Sequence, residues 1–116
     1  MVKVLAFLTR KEGIGMQAFI DYYENKHVPL ITSLAPTPLV YKRRYVVRGD
    51  PLTSSGGAVD FDVVTEVGFA DRAALLAWMA QLSGSGVGEQ VAADEGRFLD
   101  RSRTRAYVVE EYVTAG

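Results

Sequence analysis

The stretch "LVYKRRYVVRGDPLTSSGGAVDFDVVTEVGF", residues 39–69, decides the fold. Two segments rich in β-branched and aromatic residues, 39–48 and 61–69, read as consecutive strands. The polar Gly/Ser/Pro-rich run between them, 49–60, reads as a loop. On the N-terminal side, "APTP" (35–38) breaks the chain. Before it, Phe19, Tyr23, His27 and Leu30 recur at helical spacing within a predicted helix from Met16 to about Thr32. On the C-terminal side, Asp71 is a good N-cap for "RAALLAWMAQL", where Leu75, Met79 and Leu82 share a face with Trp78 nearby. After "SGSGVG", "EQVAADEGRFL" reads as a short helix weakened by Gly96. Strands at the two ends, "VKVLAFLT" (2–9) and "TRAYVVEEYV" (104–113), complete the order β-α-β-β-α-(α)-β. That order is the ferredoxin-like pattern, an α+β fold with one antiparallel sheet and its helices on one face.

The end strands carry a second implication. In the first, Val2, Val4, Ala6 and Leu8 lie on one face and Leu5 and Phe7 on the other; the last strand is apolar on both faces too. A sheet covered on one side should alternate apolar and polar. A sheet apolar on both sides needs a second cover, and a second copy packed sheet to sheet supplies it. The pattern therefore predicts a homodimer.

Composition narrows the function classes. The chain has 116 residues, suiting a single domain over 1–116, and is 48% hydrophobic and 23% charged, enough to build a core. A net charge of −1 gives no electrostatic case for nucleic acid or an anionic membrane. With no cysteine, thiolate metal sites, disulfides and cysteine nucleophiles are excluded. One histidine makes a zinc site a poor expectation. No phosphate loop, flavin, haem or nicotinamide fingerprint is visible, so no cofactor and no metal are expected. Serines 54, 55, 83 and 85 lie in loops without a hydrolase motif. No signal peptide or membrane-length apolar run is present, and a cytoplasmic location is the expectation.

The chemistry then concentrates on "FIDYYENKHVPL" (19–30). His27 can act as acid or base without a cofactor, and its phase with Phe19 and Tyr23 points it toward the sheet. Tyr23 or Tyr22 can donate a hydrogen bond to developing negative charge on a substrate oxygen. Pro29 cannot donate its amide, so the helix is expected to bend or end just after His27. Asp62 and Glu66 share one face of the third strand, beside a second strand that carries Arg43 and Arg44 on opposite faces. A cross-strand ion pair is the structural reading, and Asp62 or Glu66 orienting the imidazole is the functional one. Phe19, Tyr22, Tyr41, Glu66 and Trp78 are candidates for substrate contact. A packed core histidine with no ligand is the competing reading. "DEGRFLDRSR" (94–103) reads as a helix end with solvated charges.

Four segments, "FIDYYENKHVPLI", "PLVYKRRYVVRGD", "FDVVTEVGFADRAALLAWM" and "ADEGRFLDRSRTRAYVVEE", together resemble the EthD-domain family of the dimeric α+β barrel superfamily. The resemblance spans nearly the whole chain in the right order. It implies a ferredoxin-like protomer that dimerises through its sheets, with a ligand cavity between sheet and helices and the helix-one histidine at His27. Related proteins include cofactor-independent dehydratases, cyclases, decarboxylases and monooxygenases of polyketide-like aromatic compounds. The expected function is a cofactor-independent lyase, of dehydratase or cyclase type, acting on a small aromatic or polyketide-like substrate. His27, Tyr23 and Asp62 would be its catalytic residues. A binding or accessory protein for a hydrophobic small molecule, and a cofactor-free monooxygenase, are the alternatives.

Overall fold

Alternation along the strands sorts their side chains between a helix-facing and an opposite surface. The computed structural model describes residues 1–54 and 59–116; Ser55, and with it the middle of the run read from the sequence as a loop, lies outside them. The strands are β1 (Val2–Leu8), β2 (Val40–Tyr45), β3 (Val63–Phe69) and β4 (Arg105–Val109), in one sheet of order β2-β3-β1-β4. Every neighbouring pair is antiparallel, with Thr65 opposite both Ala6 and Arg43, and Leu5 opposite both Glu66 and Tyr107. This is the ferredoxin-like arrangement the element order implies.

The last strand is shorter than the sequence suggests. Val109 pairs with Lys3, so β1 runs out one residue later and leaves nothing for the chain beyond Glu110 to pair with. Tyr112 and Val113 are accordingly exposed.

Helices α1 (Met16–Tyr22), α2 (Val28–Leu34), α3 (Arg72–Leu82) and α4 (Val87–Glu95) cover one face. Helix α3 matches its predicted bounds because Asp71 caps it, accepting from the Ala74 amide at 2.8 Å. Helix α4 starts two residues before its expected beginning. Gly86 takes φ +82°, a left-handed conformation that suits glycine, and launches it. Gly96 caps its other end. Two apolar clusters fill the space between helices and sheet. Phe19, Tyr23, Val63, Phe98, Leu8 and Leu99 form the first, in which Phe19 packs on Tyr23, Tyr45 and Phe98 with centroids 5.7–6.2 Å apart. Burial of each large side chain there contributes about 1.5–3 kcal/mol. Val67, Phe69 and Leu75 form the second, flanked by Tyr41 and Trp78.

The opposite face of the sheet is apolar only in part. Phe7 meets Phe61 and Tyr107 edge-on, at 5.1 and 5.9 Å. Beside them Glu66 is held by Lys3 at 3.2 Å and by Arg44 at 3.0 Å. Burial alone would push the Glu66 carboxyl up; the bonds from Lys3 and Arg44 outweigh it and hold the group below its ordinary value. No helix among the described residues is long and apolar enough to cross a membrane.

Candidate functional site

The helix that begins at Met16 does not stop at Pro29. Residues Tyr23–His27 widen into a π-turn, in which the Val28 amide donates to the Tyr23 carbonyl five residues back. The α-helix then resumes, with Pro29 in the first turn of α2, where a missing amide is tolerated. The sequence rule that proline breaks a helix is met by a local change of pitch instead. Such wide turns gather at functional sites because they re-aim the side chains they carry.

The two residues re-aimed here are Tyr23 and His27. Both are buried, and their rings meet edge-on at 5.2 Å. Phe98 packs against the imidazole from another side at 5.0 Å. Asp94, in the last turn of α4, places Oδ2 2.7 Å from His27 Nδ1, and its Oδ1 accepts from the Tyr22 hydroxyl at 2.6 Å. A carboxylate only accepts, so Nδ1 is the donor and a neutral ring carries its lone pair on Nε2. Burial, then the bond to Asp94, pushes the Tyr22 hydroxyl up to about 12, so this phenol stays protonated and donating.

His27 and Tyr23 border a cavity of about 360 Å³ between helices and sheet, whose walls include Val4, Ile31, Val67, Leu75 and Met79. The Tyr23 hydroxyl lies 2.6 Å from Thr65 Oγ1, another lining residue. Burial raises the Tyr23 phenol well above its usual value. The two hydroxyls carry two protons and their mutual bond uses one, so the pair can still donate once into the cavity. Tyr41 also lines it. Burial pushes its hydroxyl up to about 12, and no hydrogen bond to it is found among the described residues. Trp78 is among the cavity's lining residues. A wider polar depression of about 720 Å³, near Arg10, Arg48 and Asp62, contains neither the histidine nor the tyrosines.

Several expectations need correction. Asp62 is not the partner of His27. It accepts from Arg48 at 2.6 Å and from the Arg10 amide at 2.8 Å, in the polar depression beyond the start of β3. Glu66 faces the opposite side of the sheet with Lys3 and Arg44. Phe19 is fully buried behind Tyr23 and does not line the cavity, and Tyr22 reaches Asp94 from outside it. Arg43 pairs with Glu24 through two bonds, at 2.6 and 2.9 Å, rather than with a strand carboxylate. The carboxylate that does hold the imidazole, Asp94, belongs to the segment expected to carry solvated charge. Its signal in the sequence is the "ADEGRFLD" run (93–100), which carries part of the family resemblance. Among the described residues no group of three or more histidine, cysteine or carboxylate side chains is placed to hold a metal ion.

Comparison with known proteins agrees with this architecture. The sequence model described as the EthD domain matches residues 11–102. A crystal structure of an ethyl tert-butyl ether d (EthD) family protein from Bacillus halodurans is 26% identical, with a TM-score of 0.64 over 97% of this chain and 99% of that one. A protein from Arabidopsis thaliana is 12% identical, with a TM-score of 0.64 over 99% of each chain. HapK from Hahella chejuensis is 16% identical, with a TM-score of 0.60 over the whole of both chains. The last two show likeness of fold alone. Comparison with curated proteins gives no match.

Proposed function

The chain belongs to the EthD-domain family, and we propose that it is a cofactor-independent lyase, of dehydratase or cyclase type, for a small aromatic or polyketide-like ketone. One observation carries the reading: an imidazole whose Nδ1 is held by Asp94 at 2.7 Å borders an apolar cavity. The bond to the carboxylate assigns the proton to Nδ1 and leaves Nε2 as the base. Nε2 takes a proton from the carbon next to the substrate carbonyl; the C–H electron pair forms the enolate C=C bond as the carbonyl π pair moves onto oxygen. The Tyr23–Thr65 hydroxyl pair donates to that enolate oxygen, where the apolar walls strengthen the bond. The enolate then re-forms the carbonyl as a β-hydroxyl leaves, taking the proton back from the imidazolium, and water is the second product. Asp94 stabilises the imidazolium in between.

The test is dehydration of a β-hydroxy ketone with an aryl group on its carbinol carbon, the aldol of benzaldehyde and acetone, followed by growth of enone absorbance. Wild-type protein should accelerate it, and His27→Gln should lower the rate by about 10²-fold. Saturable binding with no product would make the protein a carrier of such compounds instead.

We also propose that a second copy covers the outer sheet face. The support is the partly buried Leu5, Phe7, Phe61 and Val64 beside the half-exposed Tyr107, an apolar band on a surface that no helix among the described residues covers.

A further inference from the structure

Arg43, Thr65, Ala6 and Ala106 are in register across the four strands and make one rung of the sheet. Side chains directly opposite on neighbouring strands share a face, and Thr65, Ala6 and Ala106 all line the cavity with His27. The same-face rungs on either side carry larger residues. Val67, Val4 and Val108 form one, and Val63 and Leu8 belong to the other. Two adjacent alanines beside a threonine therefore leave a trench between two apolar ridges, and it runs across the strands rather than along them.

The two ends of the trench differ. At the β2 end Arg43 is tied to Glu24 through two bonds, and the Tyr23 hydroxyl lies 2.6 Å from Thr65. Tyr23, His27 and Thr65 are all buried. At the other end β4 is an edge strand, where Ala106 and Val108 are exposed, as is Met79 of α3, another lining residue. The groups that would react thus stand at the closed end, and the mouth lies at the β4 edge. Two strand spacings of about 4.8 Å carry the floor ~10 Å from Thr65 to Ala106, about the length of three linearly fused rings.

Resting on the cavity as the ligand site, we propose that Ala6 and Ala106 set the shape of the substrate. The substrate class is a linearly fused aromatic ketone, its carbonyl ring at His27 and Tyr23 and its last ring over Ala106. A bent ring system of the same size meets one of the ridges.

The probes are α-tetralone and its linear and angular benzo-fused homologues, which have anthracene and phenanthrene carbon frames. The two homologues are isomers with nearly the same apolar surface, so a preference between them reads shape. Wild-type protein should bind the linear one about tenfold more tightly than the angular one or α-tetralone. Ala106→Leu, at an exposed strand position that accepts a larger side chain, should lose that preference and still bind α-tetralone. Without any substitution, protons of the last ring of the linear ketone should show NOEs to the Ala106 methyl group. Equal affinities for the two isomers, an unchanged preference in Ala106→Leu, or no NOE to Ala106 at saturation would overturn the trench alone. Failure of all three ketones to bind would overturn it together with the cavity reading.

Discussion

Replacing Asp94 by Asn probes the hinge of the proposed mechanism, because it keeps the shape of the side chain and removes its charge. In the native protein both carboxylate oxygens accept short bonds, from His27 at 2.7 Å and from Tyr22 at 2.6 Å. The His27 and Asp94 side chains are only 8% and 13% exposed, so water does little to screen the pair. Hydrogen bonds to charged groups contribute about 1.5–3 kcal/mol against about 0.5–1.5 for neutral ones. Neutralising Asp94 should therefore cost roughly 1 kcal/mol per bond, about 2 in all, and for a chain of this size lower the melting temperature by about 8 °C.

The more informative change is in the ring. Asparagine has one oxygen for two donors. When that oxygen serves Tyr22, the amide NH₂ faces Nδ1, which must then hold the lone pair, and the proton moves to Nε2. Because His27 is the only histidine, its two ring nitrogens give the only imidazole ¹⁵N signals. At mildly alkaline pH the wild type should show a protonated Nδ1 and a bare Nε2, and Asp94→Asn should gain the opposite tautomer and lose base activity. A native protein with its proton on Nε2, or a variant with unchanged tautomer and melting temperature, would refute the reasoning.

Other expectations follow from the neighbouring contacts. Glu24 is held below its ordinary carboxyl range first by the bonds from Arg43, with burial opposing. A depressed folded value means the unfolded chain takes up the proton first on acidification. Its contribution is thus fully present above the unfolded value near 4.5 and is lost as pH falls toward the folded one. Denaturant titrations should show Glu24→Gln with a flatter loss of stability than wild type through that acid range; parallel curves would rule the linkage out. On the outer sheet face, Phe7→Glu places a charge among Phe61 and Tyr107. Sedimentation should show a dimer for the wild type and a monomer for the variant, and a monomeric wild type would remove the proposed assembly.

Much of the fold was legible because it depends on local rules. The two consecutive strands around a turn-rich loop, and the Asp71 cap, need only alternation and hydrogen-bond chemistry within a few residues. Helical phase likewise placed His27 and Tyr23 toward the sheet. The partner of His27 was not legible, since Asp94 is 67 residues further on and reaches the ring and the Tyr22 hydroxyl only through the tertiary placement of α4. Asp62 and Glu66 shared a strand with the expected site, but parity along a strand does not say which carboxylate meets which cation. Arg10 and Arg48 claim the first, and Lys3 and Arg44 the second. Pro29 misled because the rule for proline covers a regular α-helix, whereas the chain absorbs it with one wide turn.

The claim that His27 is a base inside a ligand cavity meets its most direct test in D₂O. Deuterium uptake at the carbon next to the carbonyl of α-tetralone, followed by NMR, reads proton removal without requiring the natural substrate. The wild type should accelerate exchange, and His27→Gln should lose the acceleration by about 10²-fold while still binding the ketone. Exchange as fast in His27→Gln as in the wild type would contradict the account.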